Sequence, residues 1–189
     1  MTRAYRHQKF SAKLHFASLL AVMVLIALGC SESPSSYDLA SMMNQAQKST
    51  SIADPKGVFY TIESLNLGGL SPKAIFQHPP STITYSIKVP KGRSVFRAGL
   101  GMTPDSWDKG GDGVEFVVAV ETRGERLELL QRYIDPKADP ALRRWNDIEV
   151  DLSAYAGKEV KLSLITGPGP KGDLDNDWAV WGAPRIESP

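Results

Sequence analysis

Two short runs of carboxylates and four tryptophans are the residues whose types and spacing could do chemistry. Asp105, Asp108 and Asp112 share the polar stretch from Pro104 to Gly113, and Asp173, Asp175 and Asp177 alternate in Gly172-Asp173-Leu174-Asp175-Asn176-Asp177. Oxygen ligands on short loops suit Ca²⁺. The alternating run is the candidate metal set, although it lacks the glycine and distal glutamate of an EF-hand loop. Solvated turn residues are the alternative, with Asp177 fixing the start of the last strand. Two acids could also form a glycosidase pair, but the chain has no insertion long enough for a substrate groove. Flat indole rings can receive the C–H faces of sugars. Trp107 lies in the long polar loop, where an exposed ring favours recognition. Trp178 and Trp181 stand three apart in a strand-like run, so they point to opposite faces and cannot both be core. One of them is a platform, unless both cover the ends of the fold as half-buried residues. Trp145, beside Arg143 and Arg144, packs at the start of its strand. The candidate ligand contacts are Trp107, Asp112, Trp178, Trp181 and Arg185.

Cys30 is the one thiol in the chain, and its position gives it meaning. Arg3, Arg6, Lys9 and Lys13 form a positive segment with no acid, followed by the apolar run Phe16 to Leu28 and then Gly29-Cys30. That order reads as a secretory signal peptide over 1–29, and the apolar run is short for a membrane span. Ala27-Leu28-Gly29-Cys30 resembles the lipobox of bacterial lipoproteins, with Ala27 and Leu28 exchanged relative to the commonest order. The resemblance implies cleavage before Cys30 and acylation of its thiol. It also implies a lipid-anchored place in the bacterial cell envelope, at the outer membrane in a Gram-negative cell because Ser31 follows. An ordinary signal peptide with a chance cysteine, or an uncleaved anchor helix, are the alternatives.

Cleavage changes the charge balance. The chain carries 22 basic and 21 acidic residues, and losing the four basic residues of the leader leaves 18 against 21. A weakly acidic surface lacks the clustered Lys and Arg that nucleic acid demands. His7 and His15 leave with the leader, so His78 is the one histidine remaining, in Phe76-Gln77-His78-Pro79-Pro80. With Cys30 acylated, disulfides, Cys/His zinc sites and Cys–His nucleophiles are excluded. A serine triad would have to use His78, and no G-x-S-x-G elbow is present. His78 reads as a turn residue and the chain as a non-enzyme.

Residues 30–56 are small and polar, without a sustained apolar period, and read as the lipidated cysteine and a flexible linker. Asp38 could cap a short helix running to Lys48. From Gly57 the pattern changes to short β-rich runs: 58–62, 83–89, 94–100, 113–120, 127–134, 145–152, 160–166 and 178–186. Gly, Pro and Asp separate them, as in Pro90-Lys91-Gly92 and Gly167-Pro168-Gly169-Pro170. Evenly spaced short strands with such turns predict one all-β domain over 57–189, an antiparallel sandwich of about eight or nine strands. Val150 and Leu152 face one side of their strand and Asp151 the other. Gly157 takes a positive φ in the following turn, and Val160, Leu162 and Leu164 line the core.

Several pieces together carry a resemblance. They are Arg144-Trp145, Val150-Asp151-Leu152-Ser153-Ala154-Tyr155-Ala156-Gly157-Lys158, Val160-Lys161-Leu162, Asp177-Trp178-Ala179-Val180-Trp181, and the Asp112-Gly113 turn leading to Phe116. This set resembles jelly-roll modules of the galactose-binding-like class, above all the NPCBM-type carbohydrate-binding domains, over roughly 81–186. The resemblance implies a jelly roll, a glycan ligand and a structural calcium. The expected function is non-catalytic binding of an envelope or surface glycan. A protein-interaction or assembly module of an envelope complex is the alternative, because one sandwich serves many roles.

Overall fold

The computed structural model describes residues 35–188; the leader and Cys30 lie outside the described residues. Eleven strands follow one another: β1 (Ser36–Asp38), β2 (Gln47–Thr50), β3 (Phe59–Ile62), β4 (Ala74–Gln77), β5 (Ser81–Lys88), β6 (Val95–Met102), β7 (Val114–Thr122), β8 (Glu125–Ile134), β9 (Asn146–Asp151), β10 (Glu159–Pro168) and β11 (Ala179–Glu187). They form two sheets, ordered β3-β4-β11-β6-β9 and β2-β5-β10-β7-β8, with β1 also paired to β11. Each pairing is antiparallel. The expected all-β sandwich is therefore the observed one.

Period two explains the layers. Ala179 and Trp181 of β11 face the other sheet, while Val180 and Gly182 face outward. The main core lies between the sheets around Trp181, Phe116 and Phe96; the Phe116 and Trp181 rings meet edge to face at 5.0 Å. Gln77 seats the indole. Its Oε1 accepts from Trp181 Nε1 at 2.9 Å, and its Nε2 donates to the carbonyls of Ser81 and Leu164. On the outer side of the first sheet, Leu67, Ala74, Phe76, Trp145 and Val180 make a second, smaller cluster. The Trp145 ring lies so close to the sheet that glycine is required beneath it: a Cβ on Gly182 would come within 2.7 Å of the indole.

Two expectations are corrected. The sandwich has three strands beyond the eight sequence runs, and two of them fall in the stretch read as a linker. Leu39 and Met43 are buried in the main core, and β1 and β2 each extend a sheet. The helix expected from Asp38 is one turn, in which Asp38 Oδ1 accepts the Ser41 N–H at 3.1 Å, and the chain then passes into β2. The polar sequence Gln47-Lys48-Ser49-Thr50 hides an edge strand that needs no apolar face of its own. β4 was hidden for the opposite reason. Ala74-Ile75-Phe76-Gln77 is buried on both sides, so it shows no alternation.

Candidate functional site

The structure separates the residues that the sequence nominated. Trp181 is wholly buried and cannot be a platform. Trp107 is not the exposed loop ring expected. The turn Pro104–Ser106 folds it back, its Nε1 donates to the Met102 carbonyl at 2.9 Å, and the Arg143 guanidinium covers it. Asp112 is buried and accepts the Lys171 N–H, so it is not placed to touch a ligand at the surface. Arg185 lies in a different groove and is engaged with Glu187 at 3.0 Å. His78 sits in the turn between β4 and β5, with Nδ1 2.7 Å from the Pro79 carbonyl oxygen. Of the five ligand candidates, Trp178 alone reaches an aromatic-walled cleft.

That cleft, about 300 Å³, opens beside β3, the end of β6 and the start of β11. Tyr60 and Phe76 are cross-strand partners on β3 and β4. Their rings stack with centroids 4.4 Å apart and an interplanar angle of 14°, and Tyr60 stays 44% exposed. Phe76 thus stiffens Tyr60 as a flat outer surface. Burial against that ring pushes the Tyr60 hydroxyl above the ordinary tyrosine range. Trp178 forms another wall. Its carbonyl accepts the Thr103 N–H at 2.9 Å, and the Lys109 ammonium lies 4.2 Å over its ring. Asp105 is exposed on the rim; Thr103 also lines the cleft, with its hydroxyl buried and without a partner among the described residues. Two rings and a carboxylate in one shallow cleft can receive a ligand with apolar faces and a hydroxylated edge.

Three larger grooves are less suited. The one beside Ser41, Asn44 and β3, about 460 Å³, also touches Tyr60 but is lined mainly by polar groups, and its Lys73 and Glu63 pair at 3.1 Å. The one over β5, β7 and β10, about 500 Å³, has no aromatic wall, and its Lys161 and Glu121 pair at 2.8 Å. In the groove containing Arg185, about 390 Å³, Arg97 pairs with Glu149 and with Glu187, and Arg185 with Glu187, which engages all its charged groups except Asp147. Its Trp145 is buried. The sequence pointed to neither Tyr60 nor Thr103 as a contact. Tyr60 stands in the sequence only as one residue of the β-rich run 58–62, and its neighbour across the sheet is sixteen residues away.

The calcium expectation is corrected as well. Asp173 Oδ1 accepts the Asp175 N–H, the Asp175 side chain points into solvent, and Asp177 is buried beside Lys137. Among the described residues, no group of three His, Cys, Asp or Glu side chains is placed to hold a metal ion.

No protein-family model matches the chain. Over 120 residues it is 45% identical to an uncharacterized protein of Archaeoglobus fulgidus, a match that covers 60% of this chain and 30% of that one. The chain thus spans less than a third of that relative's length. Among solved structures, it is similar to a family 51 carbohydrate-binding module from a Clostridium perfringens family 95 glycoside hydrolase, in complex with methyl-galactose. The TM-score is 0.55 at 17% identity, over 80% of this chain and 99% of that one. The tandem family 51 modules of a Streptococcus pneumoniae family 98 glycoside hydrolase give 0.53 at 10% identity, over 82% of this chain and 47% of theirs. At such identities the likeness is one of fold. The chain has the β-sandwich fold seen in non-catalytic carbohydrate-binding modules.

Proposed function

We propose that this protein is a non-catalytic glycan-binding module held at a cell envelope through an acylated Cys30. The observation that carries the binding half is the cleft in which Tyr60, backed by Phe76, and Trp178 present aromatic surface beside Asp105 and Thr103. The anchoring half rests on the leader and on the place where the fold begins. Because β1 starts at Ser36, only residues 31–35 separate Cys30 from the sandwich. Five extended residues reach about 18 Å at most, so the domain would sit close to the lipid surface. β1 pairs with the far end of β11, at Arg185 to Glu187, whereas Trp178 precedes its beginning. Nine strand residues span about 30 Å, so the cleft lies at the end of β11 opposite the one that pairs with β1.

A glycan-array screen followed by calorimetry on the strongest hit tests the binding. Tyr60→Ala and Trp178→Ala should each weaken it about tenfold or more, as expected for a ring contributing at least about 1.4 kcal/mol, while Lys161→Ala in the polar groove should leave it unchanged. A well-folded protein that binds no glycan, or whose binding depends on Lys161 and not on Tyr60, refutes the cleft assignment. For the anchor, Cys30→Ser should move the protein from the membrane to the soluble fraction; continued membrane association of that variant would count against acylation.

A further inference from the structure

Three loops meet on a single ammonium group. Lys137 lies just after β8, in a turn organised by Asp135, whose Oδ1 accepts the Lys137 and Ala138 N–H groups at 3.0 and 3.2 Å. The Lys137 side chain is only 9% exposed. Its Nζ donates to the Gly110 carbonyl at 2.7 Å, with the Asp177 Oδ1 at 3.3 Å and the Asp175 carbonyl at 3.4 Å. Packing there is tight enough to require glycine at 111. Its φ is +111°, and a Cβ would collide with both Lys137 Nζ and the Asp175 carbonyl.

Two further oxygens of the buried carboxylates lack partners among the described residues, Asp177 Oδ2 and Asp112 Oδ1, although Asp177 is fully buried and Asp112 nearly so. Buried carboxylates with unpaired oxygens call for a positive charge nearby. The resemblance to calcium-holding sandwiches implies a divalent ion for such a role. The residues do not fit one. Calcium takes six to eight oxygens at about 2.3–2.6 Å, and here the carbonyls of Gly110 and Asp175 and the Asp177 carboxylate surround an ammonium instead.

We propose that the Lys137 ammonium is the resident cation of this junction. It takes the place of a divalent metal and ties the 104–113 loop to the 172–178 loop. Lys109 and Trp178, on those two loops, are thereby held together without metal. The inference stands on the junction alone, so it survives or fails independently of glycan binding.

Thermal unfolding of the full chain at pH 8, in chelator or in about 5 mM CaCl₂ at matched ionic strength, tests it. The wild-type midpoint should move by less than about 1 °C between the two conditions, because a ligand that does not bind the folded state cannot stabilise it. Lys137→Ala removes the ammonium and opens the space. Its midpoint should fall by several degrees in chelator and recover in part with calcium. Lys137→Met, which fills the space without charge, should fall and not recover. A wild-type midpoint that rises with calcium overturns the proposal, as does a Lys137→Ala protein that matches wild type in chelator or is not restored by calcium. Should Lys137→Ala fail to fold, refolding yield replaces the midpoint: recovery with calcium supports the proposal and continued failure overturns it.

Discussion

Replacing Leu39 by alanine separates a tether from a structural segment. Leu39 is wholly buried in the main core, and its backbone is fixed on both sides. Its N–H donates to the Pro184 carbonyl at 2.9 Å, and its carbonyl accepts from the Tyr85 hydroxyl at 2.9 Å. Leu39→Ala leaves those backbone bonds in place and removes only side-chain volume. A buried leucine truncated in this way costs about 2.7–5 kcal/mol, from lost transfer energy plus the cavity left behind. For a domain of about 150 residues, that lowers the melting midpoint by roughly 5–20 °C. Urea unfolding of the chain from Glu32 onward, followed by tryptophan fluorescence, measures the loss, since Trp181 lies in the same core. Lys48→Ala, on the exposed edge strand β2, is the control and should change stability by less than about 0.5 kcal/mol. A Leu39→Ala loss below about 1 kcal/mol, with an unchanged urea slope, would refute the reasoning and return the segment to the role of a tether. The same argument predicts that a chain beginning at Gly57 does not fold, because it lacks β1, β2, Leu39 and Met43.

Gly182→Ala should destabilise the protein by about 1–3 kcal/mol, the usual cost of overpacking, because the added methyl meets the Trp145 indole at 2.7–2.9 Å; equilibrium unfolding of the variant checks it. Burial pushes the Asp177 carboxyl up to about 7, in spite of the Lys137 ammonium beside it. A carboxyl whose folded pKa is raised binds more protons folded than unfolded, so its contribution is full below the unfolded pKa and is lost as pH rises toward 7. The stability of wild type minus that of Asp177→Asn should therefore shrink by a few kcal/mol at most between pH 4 and pH 8; a difference that stays constant or widens over that range would be the contrary result.

Much of the fold was legible in the chain because it is local. Alternation in Ile83 to Val89 and Val160 to Leu164, broken by Gly and Pro, marked eight strands within a residue or two of their observed limits. The same rule required that Trp178 and Trp181 part company, and Gly157 has the positive φ its turn needed. Which tryptophan faces the core was not legible, because it depends on Gln77, Phe96 and Phe116, each more than sixty residues away in sequence. Nor could the polar run from Gln47 to Thr50 declare itself a strand, since its partner Ser81 to Thr84 supplies the hydrogen bonds and the buried face. The candidate cleft is decided by tertiary structure in the same way. Tyr60, Thr103 and Trp178 carry no shared spacing and meet only because β3, β6 and β11 lie in one sheet. Composition and spacing determined the sandwich and its turns, because those depend on neighbours in the chain. The choice of which rings and carboxylates are buried, paired or offered to a ligand belongs to strand order, because a side chain's environment is set by residues that the chain brings back from far away.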